Sequence, residues 1–408
     1  MIRVAVIGGG AAGSMAAFAA AKNGARVTVF EHNEKIGKKL FITGKGRCNL
    51  SNDCDTEDFF ANVPRNPKFL YSAIYALPPR QLVALFNEYG LATKVERGNR
   101  VFPESDKSSD VIKTLEKMMG RMDVRIKLDT DIRSISRAGN MFFLADSNGH
   151  NYEFERVIIA TGGLSYKATG STGDGYAFAE KLGHRIEKQS PSLVPLVIRE
   201  RAVAEALTGL TLKNVTLTVT QDKKDIYSEM GEMLFTHFGI SGPLVLSASA
   251  NLDLTQKAVA SIDIKPALTD EMLDARLLRD FDGNGAKELA TVAGGLFPGR
   301  LTEEVLKAAG VNGRKKISTV TKRDREKLIH ATKHFDLTIT GAASMNEAVI
   351  TRGGVAVRDI DPGTMESRRV KGLYFAGEVI DVDAYTGGFN LQIAFSTGYL
   401  AGESAASN

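Results

Sequence analysis

The first thirty-one residues carry a pattern that few folds accommodate. Arg3–Ile7 (RVAVI) is apolar after its first residue, as in a parallel strand buried on both faces. Gly8–Gly13 (GGGAAG) follows at once. Ser14–Asn23 is Ala-rich and favours helix, and Gly24 stands where a helix is capped. Arg26–Phe30 (RVTVF) is a second strand, ending at Glu31. The Gly8-x-Gly10-x-x-Gly13 turn therefore lies between a strand and a helix. Its glycines permit a tight turn, approach of a pyrophosphate and close helix packing. The helix start offers N–H groups and partial positive charge to phosphates. Glu31, 18 residues after Gly13, is placed to accept hydrogen bonds from an adenosine ribose. Dinucleotide binding is the expectation; a ligand-free glycine turn is the alternative.

Composition narrows the class. With 52 Lys+Arg against 48 Asp+Glu, the net charge of +4 is too balanced for nucleic-acid binding by bulk charge. Hydrophobic residues at 43% and charged residues at 25% match a folded globular chain of two or three domains. Two cysteines, Cys48 and Cys54, make no disulfide framework and no C-x-x-C pair. Six scattered histidines offer no zinc spacing, so no metal is expected. No signal peptide and no long apolar run is read, so a cytoplasmic protein without a membrane span is expected.

Further along, residues 37–52 (GKKLFITGKGRCNLSN) read as a basic, Gly-rich loop. Helices are expected over 67–77, 80–89 and 110–119, the last capped by Ser108 or Ser109. Short strands follow at 123–127, 131–136, 141–145, 151–154 and 156–161, with a hairpin turn at Ser147-Asn148-Gly149. From about 191 the texture changes. Residues 193–198, 211–220, 259–264 and 335–339 read as strands of a separate β unit, bracketing a helical block over 267–333. A buried strand at 373–376 and a helix over 390–401 return to the early texture.

The dinucleotide motif alone does not separate FAD from NAD, but two later turns point to a flavin. Gly377-Glu378 follows a late strand and suits contact with a ribityl chain. Gly387-Gly388-Phe389-Asn390-Leu391 opens the last helix, whose start would meet the negative charge of a reduced flavin. In the early loop, Lys38, Lys39, Lys45 and Arg47 are either phosphate-binding cations or a solvated basic face. Cys48 is either a small packed residue or a reactive thiol.

Taken together, these residues resemble the BaiN/YhiN-like flavoproteins, also known as aminoacetone-oxidase-like FAD-binding enzymes. The matching blocks are GGGAAG at 8–13, GKKLFITGKGRCNLSN at 37–52, ATGGLSYKATGSTGDGY at 160–176, GEMLFTHFGISGP at 231–243, TRGGVAVRDIDPGTMES at 351–367 and GLYFAGEVIDVDAYTGGFNLQIAFSTGYLAG at 372–402. The early loop is most similar to the clostridial branch. The resemblance implies an α/β fold in which a discontinuous Rossmann-like FAD-binding domain (1–190 and 347–408) carries an inserted β-barrel-like domain (191–266 and 334–346). That domain in turn carries a helical insertion (267–333). It also implies that FAD is lined by Gly8, Gly10, Ala11, Ala12, Gly13, Glu31, Lys38, Lys39, Arg47, Cys48, Asn49, Thr161 and Gly162. Ile132 would meet the adenine, Gly377 and Glu378 the ribityl chain, and Gly388, Asn390 and Leu391 the isoalloxazine edge. Ala384 stands where the family often has Gly. Phe389 stands where it often has Tyr, which removes any proton donor there.

Such relatives reduce the Δ4 and Δ6 bonds of conjugated 3-oxo bile acids with NAD(P)H. The expectation is thus an FAD-dependent oxidoreductase acting on a small apolar enone, with NADH or NADPH binding transiently, since no second Gly-x-Gly-x-x-Gly unit is present. That absence keeps an amine oxidase using O2 as an alternative. Tyr385 and His237 are candidate acids; the alternatives are packing for Tyr385 and a hydrogen-bonded structural role for His237. Arg314, Lys315, Lys316, Lys322, Arg323, Arg325 and Lys327 form a basic cluster. It reads as a solvated helical face, or as the RNA-binding part of a tRNA-modifying flavoprotein. Oligomeric state is not readable from the sequence.

Overall fold

The structure, a computed structural model, describes residues 1–407 and contains two compact units. One comprises residues 1–192 with Met345 onward; the other comprises 193–344.

The first unit is built on five parallel strands in the order Leu373–Phe375, Arg156–Ile159, Arg3–Ile7, Arg26–Phe30, Arg125–Lys127. Val4, Ala5, Val6, Val157, Ile158 and Ile159 are fully buried, as the continuous apolar runs require. The helix Ala11–Lys22 packs against the last helix, Phe389–Ala406. This contact is made almost backbone to backbone. A Cβ on Gly398 would lie 2.3 Å from the Ala12 carbonyl oxygen, and one on Gly402 would lie 2.3 Å from that of Ala16. The pairs 12/398 and 16/402 advance together, so the two helices run in the same direction. Around this core lie three smaller sheets: the meander Ile132–Ala138, Met141–Asp146 and Asn151–Phe154; the pair Ile186–Ser192 with Ile350–Val355; and Ser51–Asn52, Arg100–Pro103 and Thr93–Glu96.

The second unit is a closed six-stranded barrel. Its order is Leu196–Ile198, Gly239–Ser241, Lys224–Thr236, Thr211–Gln221, Ala258–Asp263, Phe335–Ala342. Leu217, Val219, Phe235, Ile240, Ala260, Ile262, Leu337 and Ile339 are buried in its core. Between the fifth and sixth of these strands in that order come helices Asp270–Phe281, Leu289–Ala293, Gly299–Ala309 and Lys322–Lys333. The expected α/β class, with a Rossmann-type sheet and a β-barrel, is the one observed.

Local expectations fail where the backbone turns left-handed or a tether intervenes. The strand expected from 193 starts at Leu196, because Leu193 has φ +52°. The one expected from 123 starts at Arg125, because Asp123 has φ +52°. Neither Ser108 nor Ser109 caps the third expected helix. It runs Ser108–Arg121 with Lys107 as cap, and the Ser108 hydroxyl instead donates to the Phe41 carbonyl. The early basic loop contains a short helix, Lys38–Ile42, pinned by buried Leu40, and a 3₁₀ turn, Thr43–Gly46.

Gly→Ala in a helix interior normally stabilises by up to about 1 kcal/mol. Gly402→Ala is expected to do the reverse, costing about 1–3 kcal/mol through overpacking against the first helix. Urea unfolding followed by circular dichroism reads the sign directly; a raised midpoint would contradict this packing.

Candidate functional site

The three motif glycines do different work. A Cβ on Gly13 would fall 1.9 Å from the Gly8 carbonyl oxygen, and one on Gly8, at φ +103°, would fall 2.6 Å from that of Ala160. These two close the turn. Gly10 has φ −79°, caps the first helix without a side-chain bond, and would present a Cβ to open space. No acidic side chain occupies the first turn, where Ala11 is half-buried and Ala12 buried. The amides that a helix start leaves unpaired therefore stand where no side chain of the protein blocks approach past Gly10.

A second helix start is arranged similarly. Gly388, at φ +100°, caps the last helix, again with no side-chain cap and no acid in the first turn. Its missing Cβ lets it sit on the early loop: a Cβ there would fall 2.2 Å from the Ser51 carbonyl oxygen and 3.0 Å from Asn49 Oδ1. Leu391 is half-buried in the first turn. From the helix register, the last helix begins about 12 Å ahead of the first along their shared direction. Gly377 (φ +75°) lies between the two levels, where a Cβ would meet that of Ala12 at 2.7 Å.

Glu31 is 6% exposed. Its carboxylate accepts from Gly9 N at 2.8 Å and from Asn33 N and Nδ2 at 2.9 and 2.7 Å. This holds the acid at the strand end beside the glycine turn, with lone pairs remaining. The chain at 129–130 hydrogen-bonds to Asn33 and Glu31, and buried Ile132 opens the next strand.

Three of the four expected cations are matched by nearby acceptors, while Lys45 is exposed with no carboxylate partner among the described residues. Lys38 bonds Glu34 at 2.7 Å and Asn33 at 3.0 Å. Lys39 bonds Glu378 at 2.5 Å and Ser165 at 2.7 Å. Arg47 pairs with Glu96 and Asp106 and stacks on Phe102. Glu378 also accepts from Ser165 Oγ at 3.0 Å and Thr351 N at 2.8 Å. Thr351 Oγ1 in turn accepts from Leu164 N and Ser165 N. Thr351 and Ser165 thus hold the Gly162 turn (φ +74°) and Glu378 together, a role that sequence reading missed.

Four buried side-chain oxygens of this unit have no partner among the described residues: Asn49 Oδ1, Thr161 Oγ1, Tyr176 Oη and Asp381 Oδ1; that of Thr161 lies against Gly175, where a Cβ would meet it at 2.1 Å. Together with the open face of Gly10 and the two uncapped helix starts, Asn49 Oδ1 fits a bound dinucleotide that carries hydroxyl or imide donors. FAD meets those requirements. Cys48 is the packed residue of its two readings. It is fully buried, and burial pushes its thiol up to about 12, against a weaker hydrogen bond with Thr43, so thiolate is scarce at neutral pH.

The catalytic candidates fall in separate units. Tyr385 is half-buried before the Gly387-Gly388 turn, and its amide donates to the Asn62 carbonyl. The Asn390 side chain clamps this stretch, accepting from Ala384 N at 2.9 Å and donating to the Ala384 and Tyr385 carbonyls. His237 is exposed on the barrel turn after Thr236, its ring 5.0 Å from that of Phe238. No hydrogen bond reaches its ring among the described residues, so it is not the hydrogen-bonded structural histidine of its alternative reading. Sequence reading also missed two acids upstream of Tyr385. Asp383 is fully buried, accepting from Arg65 at 3.0 Å and Ser192 at 2.8 Å. Burial raises the Asp381 carboxyl, whose Oδ2 accepts from Asn66 at 3.2 Å.

Comparison with known proteins identifies the family. The profile of the family described as HI0933-like protein Rossmann domain matches residues 2–404. A 3-dehydro-bile acid delta(4,6)-reductase of Clostridium scindens is 32% identical, covering 100% of this chain and 99% of that protein. A ribosomal RNA dihydrouridine synthase of Haemophilus influenzae is 31% identical, covering 97% and 96%. A 3-ketosteroid delta1-dehydrogenase of Sterolibacterium denitrificans superposes with a TM-score of 0.53, at 14% identity and 100% coverage of both chains; the likeness is one of fold.

Because a methyl at Gly10 is unobstructed by protein and unstrained, Gly10→Ala should leave apoprotein stability unchanged while weakening FAD binding at least tenfold. Thermal unfolding of apoprotein and a flavin-fluorescence titration check the two halves; unchanged affinity would mean that the pyrophosphate does not lie there.

Proposed function

The chain belongs to the HI0933-like Rossmann-domain family and is an FAD-dependent oxidoreductase, and from that premise we propose that it reduces a C=C bond conjugated to a carbonyl in a 3-oxo steroid or bile-acid-like substrate, with NADH or NADPH as electron donor. The observation that carries this reading is the full-length likeness to the Clostridium scindens reductase. When bound and reduced by NAD(P)H, the flavin would supply the hydride for the β-carbon of such a substrate.

The chain's own residues supply position and protons. The first-helix amides and the open side of Gly10 receive the pyrophosphate. Glu31 accepts from the ribose, and Asn49 Oδ1 accepts from a donor of the cofactor. The start of the last helix stabilises negative charge on the flavin edge. Tyr385, held by the Asn390 clamp, protonates the α-carbon, and His237 is the second candidate for that role. NADH or NADPH would meet the flavin face transiently, since the glycine turn of dinucleotide type on the parallel sheet is the one assigned to FAD.

A second reading has the same chemistry and a different substrate, a uracil in ribosomal RNA, whose C5=C6 bond is conjugated to a carbonyl. The exposed, unpaired cations Arg314, Lys316, Arg323 and Lys327 favour it, as does the Haemophilus influenzae relative.

Incubating the purified holoprotein anaerobically with NAD(P)H and either a conjugated 3-oxo steroid or deproteinised ribosomal RNA separates the readings by mass. A steroid heavier by two hydrogens per double bond supports the first, and a dihydrouridine supports the second. Neither product, together with oxygen-dependent amine oxidation, overturns both. Tyr385→Phe should lower kcat by about 10²–10⁴ with flavin still bound. Intact turnover in this variant and in His237→Ala would remove both proton-donor assignments.

A further inference from the structure

Charge in this chain is unevenly distributed. Residues 311–334 hold eight Lys and Arg against two Asp and Glu, a net +6 in a chain whose total is +4, so the remainder is net negative. Three of these cations are neutralised in place: Lys315 by Asp324 at 2.6 Å, Arg325 by Asp274 at 2.7 Å and Lys333 by Asp263 at 2.6 Å. Lys322 stands 3.8 Å from Glu326. Both acids of the segment are thereby engaged, Asp324 with half-buried Lys315 and Glu326 with exposed Lys322. Arg314, Lys316, Arg323 and Lys327 are exposed and have no carboxylate partner among the described residues.

The four sit on two segments that are tied together. Arg323 and Lys327 are four residues apart on helix Lys322–Lys333, and so share a face. The loop bearing Arg314 and Lys316 is tied to the start of that helix through Lys315–Asp324. Asp324 also completes a capping box with Thr321. Glu288, bridged to Lys316 through the backbone, offsets at most one charge. Residues 311–334 contain no Phe, Tyr or Trp, so the face offers no platform for stacked bases. Its chemistry is that of phosphate recognition without sequence readout.

We propose that this face of the helical block is an RNA-docking surface in which Arg314, Lys316, Arg323 and Lys327 contact backbone phosphates. The proposal rests on the ribosomal-RNA reading above and assigns residues to it. Because none of the four side chains is paired or buried, replacing all four with Gln leaves the fold intact, with flavin content and melting temperature as controls.

The test is fluorescence anisotropy of the holoprotein with labelled, deproteinised ribosomal RNA, at salt from about 50 to about 200 mM. The wild type should bind with a steep salt dependence. The fourfold variant should bind at least tenfold more weakly at low salt, with the log–log salt slope reduced by about 3–4. If wild type and variant bind and modify RNA alike, this surface is wrong while the RNA reading survives. If the wild type binds no RNA at low salt, both fall. If polyglutamate competes as well as RNA does at equal charge, the face is a docking site for acidic protein and the proposal is overturned.

Discussion

The approach of the first and last helices, carried by Gly398 and Gly402 against the carbonyls of Ala12 and Ala16, is the contact on which the candidate site depends. Each side chain at those two positions is absent so that backbone can meet backbone. The first helix is Ala-rich for the same reason, with Ala16, Ala17, Ala19 and Ala20 fully buried. The consequence is geometric. Two long-range neighbours, nearly 390 residues apart in sequence, are locked in parallel with a fixed stagger. Their uncapped starts then present two levels of partial positive charge on one side of the unit. One level suits a pyrophosphate; the other suits the electron-rich edge of a flavin.

The charged side chains around these helix starts answer to one another rather than to solvent. Lys39 and Glu378 are bonded across the site and braced by Ser165 and Thr351. Arg47 is divided between two carboxylates. Such part-exposed pairs contribute little to stability. Their effect is to leave backbone amides, the Gly10 opening and a few unsatisfied acceptors as the features still seeking a partner. That is the donor set of a neutral-to-anionic dinucleotide site, and of the loop's four cations in ten residues Lys45 alone stays exposed without a carboxylate partner among the described residues.

Much of this was legible in the sequence because it is local. The strand, glycine turn, helix, strand and Glu31 follow one another within thirty-one residues, and each obeys a rule that needs no tertiary information. The barrel strands were legible through alternation, clearest in Thr211–Gln221, whose buried residues recur at every second place from Val215 onward. What escaped was non-local. Gly398 and Gly402 stand four apart in plain view, but nothing near them says which helix they meet. Thr351 and Ser165 have unremarkable neighbours, and their role exists only once the strand Ile350–Val355 lies beside the Gly162 turn. The helix Lys38–Ile42 was hidden by flanking glycines, and its start depends on Gly37 turning left-handed.

The central claim is that one dinucleotide spans the two helix starts of the first unit. Amide hydrogen exchange of the protein with and without FAD tests it most directly. The account predicts the strongest gain in protection at residues 9–14 and 388–392, with a smaller gain around 31–33. Protection confined to residues 193–344, or none at saturating FAD, would contradict it.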